Sequence, residues 1–185
     1  MNRLLCALPL FLAACGTTSY MRDTPPKPPP GAGEAKVVVY RSANWGGGKH
    51  FPIYDATEGE GKLIGFTETD CYFEYLCPAG KRIFLTWGEG NAFIDADLLP
   101  QKTYYIRAFS KYGVWSARPG FEPVTKDTEW MRKLDEVFPT LRCRELDPDK
   151  AADYSGKKED RLKKVQAAYE AGKKAPLYLK PEDGR

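Results

Sequence analysis

Few groups in this chain have the types and spacing that covalent or proton-transfer chemistry requires. His50 is the single histidine, so it is the one imidazole available as a base. A hydrolase would need Ser42 or Ser110 as nucleophile and Asp55 or Asp70 to orient the ring. Neither serine sits in a Gly-x-Ser-x-Gly elbow, which holds such a nucleophile on a strained strand-to-helix turn. Glu58, Glu60, Asp95 and Asp97 offer carboxylates of the kind that cleave glycosides, but that reaction needs a fixed separation, and carboxylates on loops and strand edges are ordinarily solvated. Gly46-Gly47-Gly48-Lys49 and Gly59-Glu60-Gly61-Lys62 put lysine after glycine without the spacing, the hydroxyl or the following helix of a phosphate cradle. These segments read as loops, and the chain reads as no enzyme.

The thiols are more informative. Of five cysteines, Cys6 and Cys15 lie in an N-terminal segment that opens with Met1-Asn2-Arg3 and continues as an apolar run from Leu4 to Ala14. About a dozen residues cannot span a bilayer as a helix, which takes roughly 20, so the run reads as a secretory signal removed after residue 14. The tetrad Leu12-Ala13-Ala14-Cys15 resembles the lipobox of bacterial lipoproteins, in which small residues admit the peptidase and the cysteine thiol is acylated. Acyl chains on Cys15 would anchor the mature chain without spanning, each buried methylene contributing about 0.8 kcal/mol. Gly16 after the cysteine is similar to the sorting pattern that favours the outer membrane, with the domain facing the periplasm.

Three thiols remain in an oxidising compartment: Cys71, Cys77 and Cys143. An extended strand would hold Cys71 and Cys77 about 20 Å apart, beyond the roughly 7 Å limit for a bridge. A disulfide would therefore use Cys143, with Cys77 to Cys143 the first choice and Cys71 to Cys143 close behind. The spacing is not that of a metal site, and neither metal nor cofactor is expected.

The elements that must position these groups follow from punctuation and period. Residues 15–35 hold Pro25-Pro26-Lys27-Pro28-Pro29-Pro30-Gly31 and read as a lipidated cysteine followed by a proline-rich tether, reaching up to roughly 60 Å if extended. Residues 36–125 alternate short β-branched and aromatic runs with Gly, Pro, Asn and Asp. The runs are Val37–Tyr40, Phe51–Tyr54, Leu63–Thr67, Tyr72–Cys77, Arg82–Trp87, Ala92–Asp97, Tyr104–Phe109 and Val114–Ala117. This predicts an all-β fold, a β-sandwich of about seven to nine short strands. Pro78-Ala79-Gly80-Lys81 carries the turn chemistry of a hairpin. Over residues 126–185 the period becomes helical: Trp130, Met131, Leu134, Val137 and Phe138 predict one packed helix behind Asp127. Leu162, Val165 and Tyr169 predict a second, loosely docked helix over about 157–171, followed by a tail that is mobile apart from a short contact at Leu177 to Leu179.

Charge excludes one class of partner. With 28 basic and 25 acidic side chains the formal charge is +3, and no basic stripe of the kind that displaces counterions from phosphates is present, so no nucleic-acid partner is expected. Aromatic residues are the surplus. Most should fill the core, and a remainder on one face would form a platform for sugar rings or a partner protein. Trp45, Tyr72, Tyr112 and Trp115 are the residues expected on that surface.

Several runs also carry a resemblance: Ala35-Lys36-Val37-Val38-Val39-Tyr40-Arg41, Leu63-Ile64-Gly65, Tyr72-Phe73 ahead of Pro78-Ala79-Gly80-Lys81, and Lys102-Thr103-Tyr104-Tyr105-Ile106-Arg107. Over about half its length the chain resembles bacterial lipoproteins catalogued as domain of unknown function twenty-eight forty-six. The resemblance implies a small surface-anchored β module and brings no catalytic residue. The segment Ala56–Gly61 is longer than the tight turn expected between those strands. Together these features predict a non-catalytic, membrane-anchored envelope lipoprotein with a binding or structural domain, or alternatively a glycan- or peptidoglycan-binding module.

Overall fold

The computed structural model describes residues 19–42 and 48–185. It is mostly strand, at 43% strand and 23% helix, with two sheets and two helices. One sheet is formed by β1 (Met21–Asp23), β10 (Arg142–Leu146), β5 (Cys71–Pro78), β2 (Glu34–Arg41), β8 (Thr103–Lys111) and β9 (Arg118–Pro123), in that spatial order. The other runs β11 (Leu177–Leu179), β7 (Asn91–Leu98), β6 (Gly80–Trp87), β3 (Phe51–Asp55), β4 (Lys62–Thr67). The helices are α1 (Glu129–Val137) and α2 (Pro148–Glu170).

Alternation explains how the layers form. In β2 the odd residues Val37 and Val39 join Ile106, Phe84 and Ile94 of both sheets in one buried cluster. The even residues Val38 and Tyr40 point to the other face, where Met131, Leu134, Trp130 and Phe138 cover them. The second sheet repeats the pattern: Tyr54 and Trp87 stack at 4.7 Å and are sheltered by Leu162 and Val165 of α2. Each sheet thus has one face towards its partner and one covered by a helix, which is why both faces of β6 are buried.

Seven expected strands are present, and four expectations need correction. Val114–Ala117 is not a strand; the chain re-enters the sheet immediately after it, at Arg118, as β9. Pro78–Lys81 is not a hairpin but a corner between sheets, since β5 pairs with β2 and β10 while β6 pairs with β3 and β7; Gly80, at φ 107°, makes the turn. The helix α2 is longer than predicted, starts at Pro148 behind an Asp147 cap, and is firmly docked, with Val165 only 1% exposed. The contact expected at Leu177–Leu179 is present, but the rest of residues 172–185 is not a mobile tail. The strand β11 pairs in parallel with β7, the Asp183 carboxylate accepts N–H bonds from Lys180 and Lys126, and the Arg185 backbone pairs with Thr103.

The described part of the tether is also held down. Met21 pairs with Leu146 across from β10, the Thr24 N–H donates to the Cys143 carbonyl at 3.2 Å, and the Lys27 N–H donates to the Glu74 carboxylate. The proline run is therefore pinned to the sheet rather than acting as a free spacer.

Candidate functional site

The strands β8 and β9 are joined by Tyr112-Gly113-Val114-Trp115-Ser116-Ala117. Three apolar side chains of this loop stand in solvent: Tyr112 is 72% exposed, Val114 74% and Trp115 92%. Such exposure normally belongs to a mobile segment, but this one is held. Glu89, in the turn between β6 and β7, reaches across and its carboxylate accepts the N–H groups of Val114, Trp115 and Ser116 at 2.7, 2.9 and 2.6 Å. Arg118 donates to the same carboxylate from Nη2 at 2.7 Å and from Nε at 3.1 Å. Successive backbone N–H groups form a concave anion cradle, and here the anion is the chain's own side chain. Hydrogen bonds from Val114, then Arg118, Trp115 and Ser116, lower the Glu89 carboxyl from its ordinary 4.5 to about 2. Gly113 is required by close approach, because a Cβ there would overlap the Ser116 carbonyl oxygen and the Glu89 carboxylate.

At the base of this loop lies a cavity of about 390 Å³ with an aromatic floor of Phe93, Phe109 and Phe121 and a basic rim of Lys111, Arg118 and Lys174. Lys174 donates to the Asn91 carbonyl at 2.6 Å; burial, then repulsion from Lys111, pushes its amine down. A second cavity of about 460 Å³ lies further along β7 and β11, where Tyr169 and the exposed Tyr178 stand beside Asp95, Asp97 and Lys81. The Tyr169 hydroxyl donates to Asp95 at 2.7 Å.

His50 belongs to a partly buried charge network. Its Nδ1 faces Glu68 at 3.6 Å, and Glu68 pairs with Arg144 at 3.0 Å. The Ser19 hydroxyl also bonds to Glu68, so the serine addresses the carboxylate and not the imidazole. Asp55, named above as an orienting acid, is occupied elsewhere: it lies 3.7 Å from Arg82 and accepts the Tyr75 hydroxyl at 3.0 Å. Ser110 sits in β8 opposite Pro119. Burial pushes His50 below its ordinary value, with Glu68 opposing and Arg41 and Arg144 assisting.

Of the residues expected on an exposed surface, the structure brings Tyr112 and Trp115 together on the Glu89-held loop. Tyr72 is buried instead, its ring 4.7 Å from Phe138 under α1, because its position in β5 places it on the helix-covered face. Trp45 and the lipidation candidate Cys15 lie outside the described residues. The expected bridge from Cys77 to Cys143 is not formed, and all three thiols are free. Register explains this: Cys143 pairs with Tyr72, five residues along β5 from Cys77, or roughly 17 Å at strand rise. Cys71 is nearer, but Arg142 is its partner in the ladder, and its thiol lies 3.6 Å from the Arg142 guanidinium. The Cys143 side chain packs on the opposite face, with Tyr72 and the α1 cluster.

Glu89 and Gly113 went unread in the sequence. Their one local signal was Gly88-Glu89-Gly90, a carboxylate flanked by glycines, which names no partner. Among the described residues no cluster of three or more His, Cys, Asp or Glu is placed to hold a metal, and no helix is long and apolar enough to cross a membrane. No protein-family model matches the chain. No curated protein matches it either.

Proposed function

We propose that this chain is a non-catalytic lipoprotein of the bacterial cell envelope, anchored through lipids on Cys15, with a β-sandwich domain that binds or supports other envelope components. The Leu12-Ala13-Ala14-Cys15 tetrad behind Arg3 and a short apolar run supports the anchor. The shared core between the two sheets supports the sandwich. The resemblance to the lipoproteins of unknown function belongs to the same proposal, and the runs that carry it fall on β2, β4, β5, β6 and β8.

The observation that carries the binding reading is the Glu89-held loop. Exposed apolar surface on a rigid support is the usual mark of an interaction site, and a loop already ordered loses less conformational entropy on contact. Among the described aromatics all but Tyr112, Trp115 and Tyr178 are buried or partly buried, in line with a partner-binding module. A glycan-binding reading has its own support at the 460 Å³ cavity, where tyrosine rings stand beside carboxylates.

Expression of the full chain and of Cys15→Ala in a Gram-negative host tests the anchor. The expected result is a mature N-terminus carrying acyl mass on Cys15 and recovered in membranes, with the variant released. An unmodified, soluble wild type would overturn it. Binding to purified peptidoglycan, abolished by Tyr178→Ala and untouched by Trp115→Ser, would favour the glycan reading.

A further inference from the structure

We infer that the loop 112–117 docks into the surface of an anionic phospholipid bilayer, close to the anchor. This names the partner of the loop and rests on its reading as a binding element.

The tip is apolar and aromatic: Trp115, Val114 and Tyr112 project from a stem that Glu89 and Gly113 hold in one conformation. Tryptophan and tyrosine concentrate at the level of lipid headgroups, where an amphipathic ring satisfies both media. Around the tip the charge is cationic. Lys111 and Arg118 flank the loop, Lys174 reaches Asn91, and the Arg161 guanidinium lies 3.4 Å from the Gly88 carbonyl beside Glu89. Arg118 is paired with the Glu89 carboxylate, so those two charges cancel and the excess positive charge comes from Lys111, Lys174 and Arg161. An apolar tip inside a cationic ring complements an anionic membrane surface, and basic side chains near such a surface each add to binding.

Chain length points to the same end of the molecule. Ser19 bonds to Glu68; Glu68 follows Thr67, which pairs with Phe51; the Phe51 ring lies against Gly88, next to the residue that holds the loop. Ser19 and the loop therefore lie towards one end of the two sheets, at opposite edges of the six-stranded sheet. Four Cα-to-Cα steps lead from Cys15 to Ser19, a reach of at most about 15 Å. A domain anchored at Cys15 therefore sits against the bilayer with this end nearest, and tethering raises the loop's effective concentration at the surface.

The test uses vesicles of brominated phosphatidylcholine with and without phosphatidylglycerol. The mature protein is purified from whichever fraction holds it. That fraction tests the anchored reading, while quenching of Trp115, read in either preparation as wild type minus Trp115→Phe, tests docking. Expected is quenching that needs phosphatidylglycerol and weakens with salt. In a Lys111→Glu, Arg161→Glu variant the loop's partition into the surface should fall by about tenfold or more. Trp115 emission that is unquenched in phosphatidylglycerol vesicles, or is quenched equally without the anionic lipid, would overturn the proposal. A loop reserved for a protein partner gives the first of these results.

Discussion

The Glu89 carboxylate accepts the backbone N–H of Trp115 at 2.9 Å across 26 residues of sequence, and so joins the turn after β6 to the loop after β8. A side chain from one sheet thereby fixes the conformation of an exposed loop in the other.

Glu89→Gln weakens this contact by removing its charge, since charged acceptors bond more strongly than neutral ones. Amide exchange at Val114, Trp115 and Ser116 should accelerate while the exchange of core strands stays as in the wild type. Unchanged exchange in the loop would show that Glu89 does not hold it.

The same contact fixes a pH dependence. The Glu89 carboxyl is depressed in the folded protein, so its contribution is fully present above its ordinary 4.5 and is lost as pH falls towards about 2. Amide shifts of Val114 and Ser116 followed by NMR should titrate with a midpoint near 2. A midpoint near 4.5 would mean that the loop leaves Glu89 in solution.

His50 has a sensitivity of the same sign at higher pH. Its imidazole is lowered on folding, so above its ordinary 6.5 it is neutral in both states and adds no pH dependence. Below 6.5 the unfolded chain takes up the proton first, and stability falls until pH passes the folded value. The urea midpoint of the wild type should drop between pH 7 and 5 more than that of His50→Asn.

Docking of α2 is measurable at Leu162, which is 6% exposed and packs over Gly61. Leu162→Ala should cost about 2–4 kcal/mol in urea unfolding, the range for truncating a buried leucine. A loosely docked helix would show a small fraction of that loss.

The cysteines give a count. Protein unfolded without reductant and treated with iodoacetamide should take up three labels on Cys71, Cys77 and Cys143, and dithiothreitol should leave its melting temperature unchanged. One label would indicate a bridge and require a different register for β10.

Seven strands and the packed helix α1 were legible because their signals are local. Alternation in Val37–Tyr40 and Arg82–Trp87, and a helical period from Trp130 to Phe138, depend on neighbours in sequence. The missed strands β1, β9 and β10, and β11, which was legible only as a short contact at Leu177–Leu179, sit at or next to the edges of their sheets, where backbone pairing suffices and little alternation is needed. The docking of α2 was hidden for a related reason. Its mean content is polar, but Leu162, Val165, Tyr154 and Tyr169 find aromatic partners supplied by β3, β4, β6 and β7.

Residue type and order alone establish the short apolar N-terminal run, the Cys15 tetrad, the strand-rich composition and the surplus of aromatic rings. Long-range packing settles that Pro78–Lys81 joins two sheets, that Cys77 and Cys143 stay apart, and that Tyr72 is covered while Trp115 is not. The same turn chemistry serves a hairpin or a corner, and the same aromatic ring serves a core or a tip. Which one it becomes depends on strand partners and covering helices drawn from distant parts of the chain, and residue type and spacing do not encode that pairing.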